Sequence, residues 1–323
     1  MVMAQSLFKL LREQHPRAHI EVLAPAWSHP LLERMPEVAI AIELAFGHGE
    51  LALGRRLKLG SELATQGYDQ AIVLPNSFKS ALPIWRAGIS QRTGYVGELR
   101  YGLLNDARSL DKKRLTMTVQ RFAALAFPKG EKTLPKIPKP KLNIKVVQVQ
   151  AALAALGLSR NTKPLLCLCP GAEFGPAKQW PVEHYAELAR RHVQRGGEVW
   201  VFGSGKDQSI GEQIAANSKG AILNLAGRTS LAQAVDLLSL ASAVVSNDSG
   251  LMHVAAALGK PLIAIYGSTD PNFTPPLSTK ARVLSLGLDC SPCFKRECPK
   301  GHLKCLRDLS VHQVQSALFE LGQ

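Results

Sequence analysis

Residues 246–267 read SNDSGLMHVAAALGKPLIAIYG, and their order decides the class of fold. The apolar run Ala243–Val245 leads into a polar turn, a helical pattern continues to Leu258 and stops at Gly259-Lys260-Pro261, and the buried-strand run Leu262–Tyr266 closes the unit. That is one βαβ unit whose helix starts on polar residues. Asp248 is the expected N-cap, and the backbone amides of Ser249, Gly250 and Leu251 then lack partners inside the helix. An anion could satisfy them, and Gly250 removes the side chain where a phosphate would approach. Ser249 and His253, four apart, share one helical face, and the backward tilt of the Cβ lets the imidazole reach a ligand held at the helix start. The plainer alternative leaves Asp248 as a cap alone and His253 as a hydrogen-bonded core residue.

The same alternation runs along the chain. In the second half, 165–170, 198–203, 221–227, 243–247 and 261–267 read as strands, with helices expected over 182–195, 207–217, 230–241 and 249–258. In the first half, strands are expected over 19–25, 39–44, 68–76 and 92–96, and helices near 4–14, 51–66, 77–87 and 116–127. Between the halves, residues 128–145 are dense in Lys and Pro and read as a linker. The expected architecture is α/β: two Rossmann-like, doubly wound domains facing across a cleft, residues 1–145 including the linker and 146–323.

A second loop supports an anion site. The strand ending at Pro170 runs into Gly171-Ala172-Glu173-Phe174-Gly175-Pro176-Ala177-Lys178. Two glycines let the backbone bend toward a ligand, and Lys178 brings a mobile positive charge to the strands' carboxyl end. The alternative is a solvated loop lysine. The segment FGSGKDQ (202–208) reads as a base or ribose contact loop. With neither G-x-G-x-x-G nor G-x-x-x-x-G-K-[ST] in the chain, a dinucleotide dehydrogenase or P-loop NTPase is poorly supported.

Charge is uneven. Residues 1–150 carry 22 Lys+Arg against 12 Asp+Glu, and residues 151–323 carry 17 against 13, so most of the formal +14 lies in the first half. That half suits an anionic membrane surface, a phosphorylated acceptor or nucleic acid, or it is simply a basic solvated surface. No basic run is interleaved with aromatics, so nucleic acid is not expected. No apolar run reaches the length of a membrane span, and the start does not read as a signal peptide, so a cytoplasmic protein is expected. Cys290, Cys293, Cys298 and Cys305 form C-x2-C-x4-C-x6-C with His302 nearby. In the cytoplasm such a group suggests structural zinc more than disulfides, although the spacing is not a common zinc pattern.

The stretches PNSFKSAL (75–82), RTGYVGELRYGLLND (92–106), PGAEFGPAKQWP (170–181), NDSGLMHVAAALGKPLIAIYG (247–267) and FTPPLS (273–278) resemble the ADP-heptose:lipopolysaccharide heptosyltransferases. These are glycosyltransferases of family 9 with the GT-B fold, and GAEFGPAK with PNSFKSAL favours the heptosyltransferase II branch. The resemblance implies inverting transfer of L-glycero-D-manno-heptose from ADP-heptose to the first heptose of a Kdo-lipid A acceptor, with no cofactor required. It implies donor binding by Gly171, Lys178, Asp248, Ser249, Gly250 and His253, with Lys178 neutralising the diphosphate. Lys79, Arg92 and Arg100 would face the acceptor, placing the protein at the inner face of the inner membrane. Family members open with a strand and a Gly-Asp loop before the helix matching MVMAQSLFKLL, and that Asp is the expected general base. On this reading about a dozen residues precede the family's equivalent of Met1, the base is absent from the chain, and Glu173 is the fallback. The alternative function is a non-catalytic ADP-sugar or lipopolysaccharide-binding protein on the same scaffold.

Overall fold

The apolar runs of the second half are strands buried on both faces. β6 (Leu165–Cys169) is buried at every position, as is β10 (Leu262–Ile265), and β9 (Ala243–Asn247) at all but its first residue. Such strands need helices on both sides, which is why they read as continuous hydrophobic runs. The computed structural model describes every residue except 48, 134–135, 160–161, 220–221 and 323. The chain divides into two compact units: Met3–His29 with Glu37–Pro138, and Met1–Val2 with Pro30–Pro36 and Lys139–Gln323.

The larger unit holds a six-stranded sheet, parallel throughout, that also includes β7 (Glu198–Val201), β8 (Ile222–Asn224) and β11 (Ala281–Leu284). Its order is β11-β10-β9-β6-β7-β8. The chain winds outward from β6 in one direction, then returns to β9 on the other side, so the switch point lies between β6 and β9. Loops leaving the carboxyl ends of those two strands flank the crevice where doubly wound sheets bind ligands. Leu166, Leu168, Val201, Val245, Ile263 and Ile265 from the sheet pack with Trp180, Tyr185 and Leu188 from one covering segment. The helix Leu231–Leu238 begins at Ser230, whose hydroxyl accepts the Gln233 amide, the S-x-x-Q capping box expected at such a start.

The smaller unit carries two parallel sheets among its described residues. β1 (Glu21–Ala24) pairs with β2 (Ile40–Glu43), while β3 (Gln70–Val73), β4 (Gln91–Tyr95) and β5 (Asp106–Arg108) form the other. No described strand joins them. The expected single wound sheet is therefore split, and helices Leu53–Ala64 and Phe78–Arg86 pack side by side.

Three details differ from expectation. The division falls between Pro138 and Lys139, inside the expected linker and not at 145/146, and Pro30–Pro36 joins the larger unit. The cause is a buried ion pair: the Arg34 guanidinium donates to both Asp236 carboxylate oxygens, at 3.0 and 2.6 Å, with both side chains under 5% exposed. The Asn143 amide also donates to the Arg34 carbonyl. Helices Val146–Ala155 and Val311–Gly322, with strands β5 and β11, lie outside the expected set. Val146–Ala155 is apolar except for Gln148 and Gln150, with Val146 and Val147 exposed, so no clear stripe marks it. Residue 221, the expected start of β8, lies outside the described residues.

Candidate active site

Two loops from the switch point meet. The loop after β6 carries Lys178, and the turn after β9 carries Asp248, whose Oδ2 lies 2.5 Å from Lys178 Nζ. Both side chains are largely buried, at 14% and 5% exposed. Thr269, just past the end of β10, donates to the same carboxylate oxygen at 2.7 Å. The lysine is thus held at the end of the strands by a charge-assisted bond to a carboxylate. Phe174 lies beneath it, with the ammonium 5.1 Å from the ring centroid.

Asp248 does not cap the helix as expected. Ser249 stands at the N-cap with extended backbone, φ −147° and ψ 174°, the helix spans Gly250–Ala257, and no side chain caps it. Asp248 is committed to Lys178 and Thr269 instead, and the Ser249 hydroxyl pairs with that of Ser246 at 3.2 Å. The first amides of the helix are left without a side-chain acceptor, and a Cβ on Gly250 would meet nothing within 4 Å. Packing therefore does not require glycine here. What glycine leaves is open space in front of the amides, the geometry of an anion site.

His253 lies one turn along the same helix. Burial lowers its pKa from the ordinary 6.5 to about 4; the Asp248 carboxylate opposes this, and the Met1 amino group and Lys178 add to it. The imidazole is neutral at neutral pH, so it offers a hydrogen bond and not a charge. The unfolded chain takes up this proton near pH 6.5 and the folded one only near 4. Stability is therefore fully present above pH 6.5 and lost as pH falls toward 4, by at most about 3 kcal/mol. His253→Gln is expected to flatten that dependence, measured by urea unfolding at pH 4, 5, 6 and 7. Equal slopes in both proteins would contradict the assignment.

Behind these groups lies a network that sequence reasoning missed. Asn247, fully buried at the end of β9, accepts the Trp180 amide at 3.1 Å and the Tyr185 hydroxyl at 2.9 Å, and donates to the Pro170 carbonyl at 2.5 Å. It ties both ends of the Lys178 loop to β9. A polar residue ending an otherwise apolar strand was the available signal. Thr269 gave no signal, because its role depends on β10 pairing beside β9. Thr269→Val removes one bond to Asp248 and is expected to lower kcat/KM about tenfold, from a net hydrogen bond of about 1.5 kcal/mol. An unchanged value would show that Lys178 alone holds the carboxylate.

The other expected glycine contacts have local explanations. A Cβ on Gly171 or on Gly203 would come within 2.6 Å of Asp207, whose carboxylate accepts the Ser204 amide and hydroxyl, both at 2.8 Å. Both glycines make room for Asp207, so the 202–208 loop is organised around that carboxylate. Glu173, the fallback base, is exposed and paired with Lys206 at 2.5 Å.

A sequence model of glycosyltransferase family 9 (heptosyltransferase) matches residues 56–304. The chain belongs to that family. This family 9 glycosyltransferase is 48% identical over 329 residues to lipopolysaccharide heptosyltransferase 2 of Escherichia coli K12, covering 99% of the chain and 94% of the relative. It is 46% identical to lipooligosaccharide heptosyltransferase 2 of Haemophilus ducreyi, covering 99% and 95%. The solved structure of E. coli ADP-heptose lps heptosyltransferase II aligns with a TM-score of 0.89 at 46% identity, covering all of this chain and 95% of that one. The E. coli heptosyltransferase WaaC with ADP, 20% identical over 99% of this chain and 97% of that one, has a TM-score of 0.73 and shares the fold. The fold is accordingly GT-B-like.

Of the three residues expected on the acceptor side of this glycosyltransferase, Arg100 is committed to the fold and Arg92 is half-buried on local carbonyls. Arg100 is fully buried, and its guanidinium donates to the carbonyls of Tyr95 and Pro75 and to the Ser80 hydroxyl. It holds the 96–101 loop against the 75–80 loop and faces no open space. Arg92 donates to the carbonyls of Leu103 and Ile89. Their long polar side chains satisfy carbonyls that the turns leave unpaired, which a charge count cannot reveal. Lys79, in the first turn of its helix, stays partly exposed beside exposed Phe78.

Proposed function

We propose that this glycosyltransferase moves L-glycero-D-manno-heptose from ADP-heptose to the first heptose of the lipopolysaccharide inner core, with inversion at the anomeric carbon. The observation that carries the reading is the meeting, at the switch point, of Lys178 with an uncapped helix start left open by Gly250. The amides at Gly250 and Leu251 and the Lys178 ammonium bind the diphosphate, and as the glycosidic bond breaks they take up the charge growing on the ADP leaving group. Ser249 and His253 contact the phosphate or sugar as neutral hydrogen-bonding groups, and Asp248 keeps Lys178 in place. The chemistry then asks for no cofactor. The acceptor meets the smaller unit, where Lys79 lies beside exposed Phe78, and where exposed Leu99 and Tyr101 follow β4. Cations with open apolar side chains suit an anionic amphiphile at the inner face of the inner membrane, where the protein works from the cytoplasm. No helix among the described residues is long and apolar enough to cross a membrane.

Near full-length likeness to enzymes named for heptosyl transfer supports this reading over a non-catalytic binding protein. The test is ADP release and acceptor mass gain with ADP-heptose and a mono-heptosylated Kdo-lipid A. A single added heptose is the expected result. Donor binding without turnover would establish the non-catalytic alternative.

A further inference from the structure

The transferase reading leaves the cysteine segment unused, and the structure gathers it. Cys290, Cys293, Cys298 and Cys305 line one cavity of about 20 Å³, together with His302 and Ser268. That is room for a single small guest. None of the cysteines is in a disulfide. The Ser268 hydroxyl, in a residue 2% exposed, has no hydrogen-bond partner among the described residues. A buried polar atom without a partner marks a place where an occupant belongs. His302 is excluded as a ligand, because its Nδ1 accepts the Lys304 amide at 3.0 Å, which puts the ring proton on Nε2. Residues 290–307 carry five Lys and Arg against one Glu, a local charge that offsets an anionic thiolate cluster.

We propose that Cys290, Cys293, Cys298 and Cys305 bind one zinc(II) ion as a tetrathiolate. As they stand, no three His, Cys, Asp or Glu side chains among the described residues converge closely enough to hold an ion. Binding draws the thiols inward by side-chain rotation into the cavity they already share. Each thiol gives its proton to solvent as its Zn–S bond forms, and nothing is oxidised or reduced.

The segment also braces the donor site. The Arg296 carbonyl accepts the Ala177 amide at 3.0 Å, next to Lys178, and the Phe294 amide donates to the Ser268 carbonyl at 2.7 Å, next to Thr269. A Cβ on Gly175 would lie 2.6 Å from the Arg296 carbonyl, so the loop fits closely against the segment. An ion that fixes residues 290–305 fixes Lys178 and Thr269 through these contacts. This second claim rests on the donor reading; the metal claim does not.

The full chain, expressed in zinc-supplemented medium and isolated without chelator, is expected to contain about one zinc by elemental analysis. Exchange for cobalt(II) should give thiolate-to-metal charge-transfer absorption with tetrahedral d–d bands. Cys298→Ser and Cys305→Ser should lose both, and Cys167→Ser, in the buried strand β6, should keep them. If the serine variants fail to fold, the wild-type chain decides: chelation should expose four further thiols to a thiol reagent and restored zinc should protect them. Sub-stoichiometric metal with no cobalt band, or an unreduced mass showing disulfides, overturns the site. Removing the ion should weaken ADP binding about tenfold, as expected for a slightly displaced positioning loop. Unchanged ADP affinity after removal would overturn the brace and leave the metal site standing.

Discussion

Replacing Lys178 with Met lowers kcat/KM for heptosyl transfer by about a thousandfold, most of it in kcat. A pre-positioned cation acting on a leaving diphosphate in a largely buried site is worth roughly 3–4 kcal/mol of transition-state stabilisation. The variant also leaves the buried Asp248 carboxylate without its ion pair, which costs about 3–5 kcal/mol of folding stability. The two effects separate in the double variant Lys178→Met/Asp248→Asn. An amide at 248 keeps the Thr269 hydroxyl bond and removes the orphaned charge, so stability recovers while turnover stays low. Steady-state kinetics with parallel denaturant unfolding read both quantities. Recovery of turnover together with stability would mean that Lys178 is only structural.

Gly250→Leu is expected to weaken donor binding strongly without harming the fold. Side chains on a helix tilt toward its N-terminus, so a leucine here projects over the amides of the first turn and into the space the glycine leaves open. Leucine is the better helix former by about 0.8 kcal/mol, and beyond its chain neighbours and its own helical turn nothing lies within 4 Å of its Cβ, so thermal stability holds or rises. ADP affinity is expected to fall at least about a hundredfold, from displacement of phosphate hydrogen bonds worth some 1.5–3 kcal/mol each. Calorimetric titration with ADP measures it. Affinity within threefold of wild type would place the diphosphate elsewhere.

Together the two variants separate what holds the crevice from what acts in it. Lys178 pairs with Asp248 and, on the proposed reading, also acts on the diphosphate, so it needs the paired substitution. Gly250 contributes only absence, so a single substitution suffices. The buried Asn247 lies between them, since it fixes the loop that carries Lys178 to the strand that leads into Gly250.

The larger unit was legible because parallel strands buried on both faces are written as apolar runs, and because Gly259-Lys260-Pro261 and Gly196-Gly197 mark where helices stop. Val311–Gly322 and Ala281–Leu284 were not singled out; the second is a short strand at the sheet edge with a single polar residue, Arg282, too little to establish a period. The polar start of the helix after β9 was legible to within a residue. The partner of Asp248 was not, since Lys178 lies 70 positions away in sequence. Arginines were misread for the same reason: the buried Arg100 and a solvated arginine look alike until the carbonyls around them are known.

The sequence by itself determined the class of fold, the βαβ unit with its glycine-started helix, and the family. These depend on local periodicity and on short motifs, which survive without any knowledge of distant neighbours. The tertiary structure decided what each charge does. It paired Lys178 with Asp248, spent Arg92 and Arg100 on backbone carbonyls, turned Glu173 toward Lys206, and brought four cysteines to one cavity. Whether an ionisable side chain serves a ligand or the fold depends on who reaches it first, and that follows from strand order rather than from position along the chain.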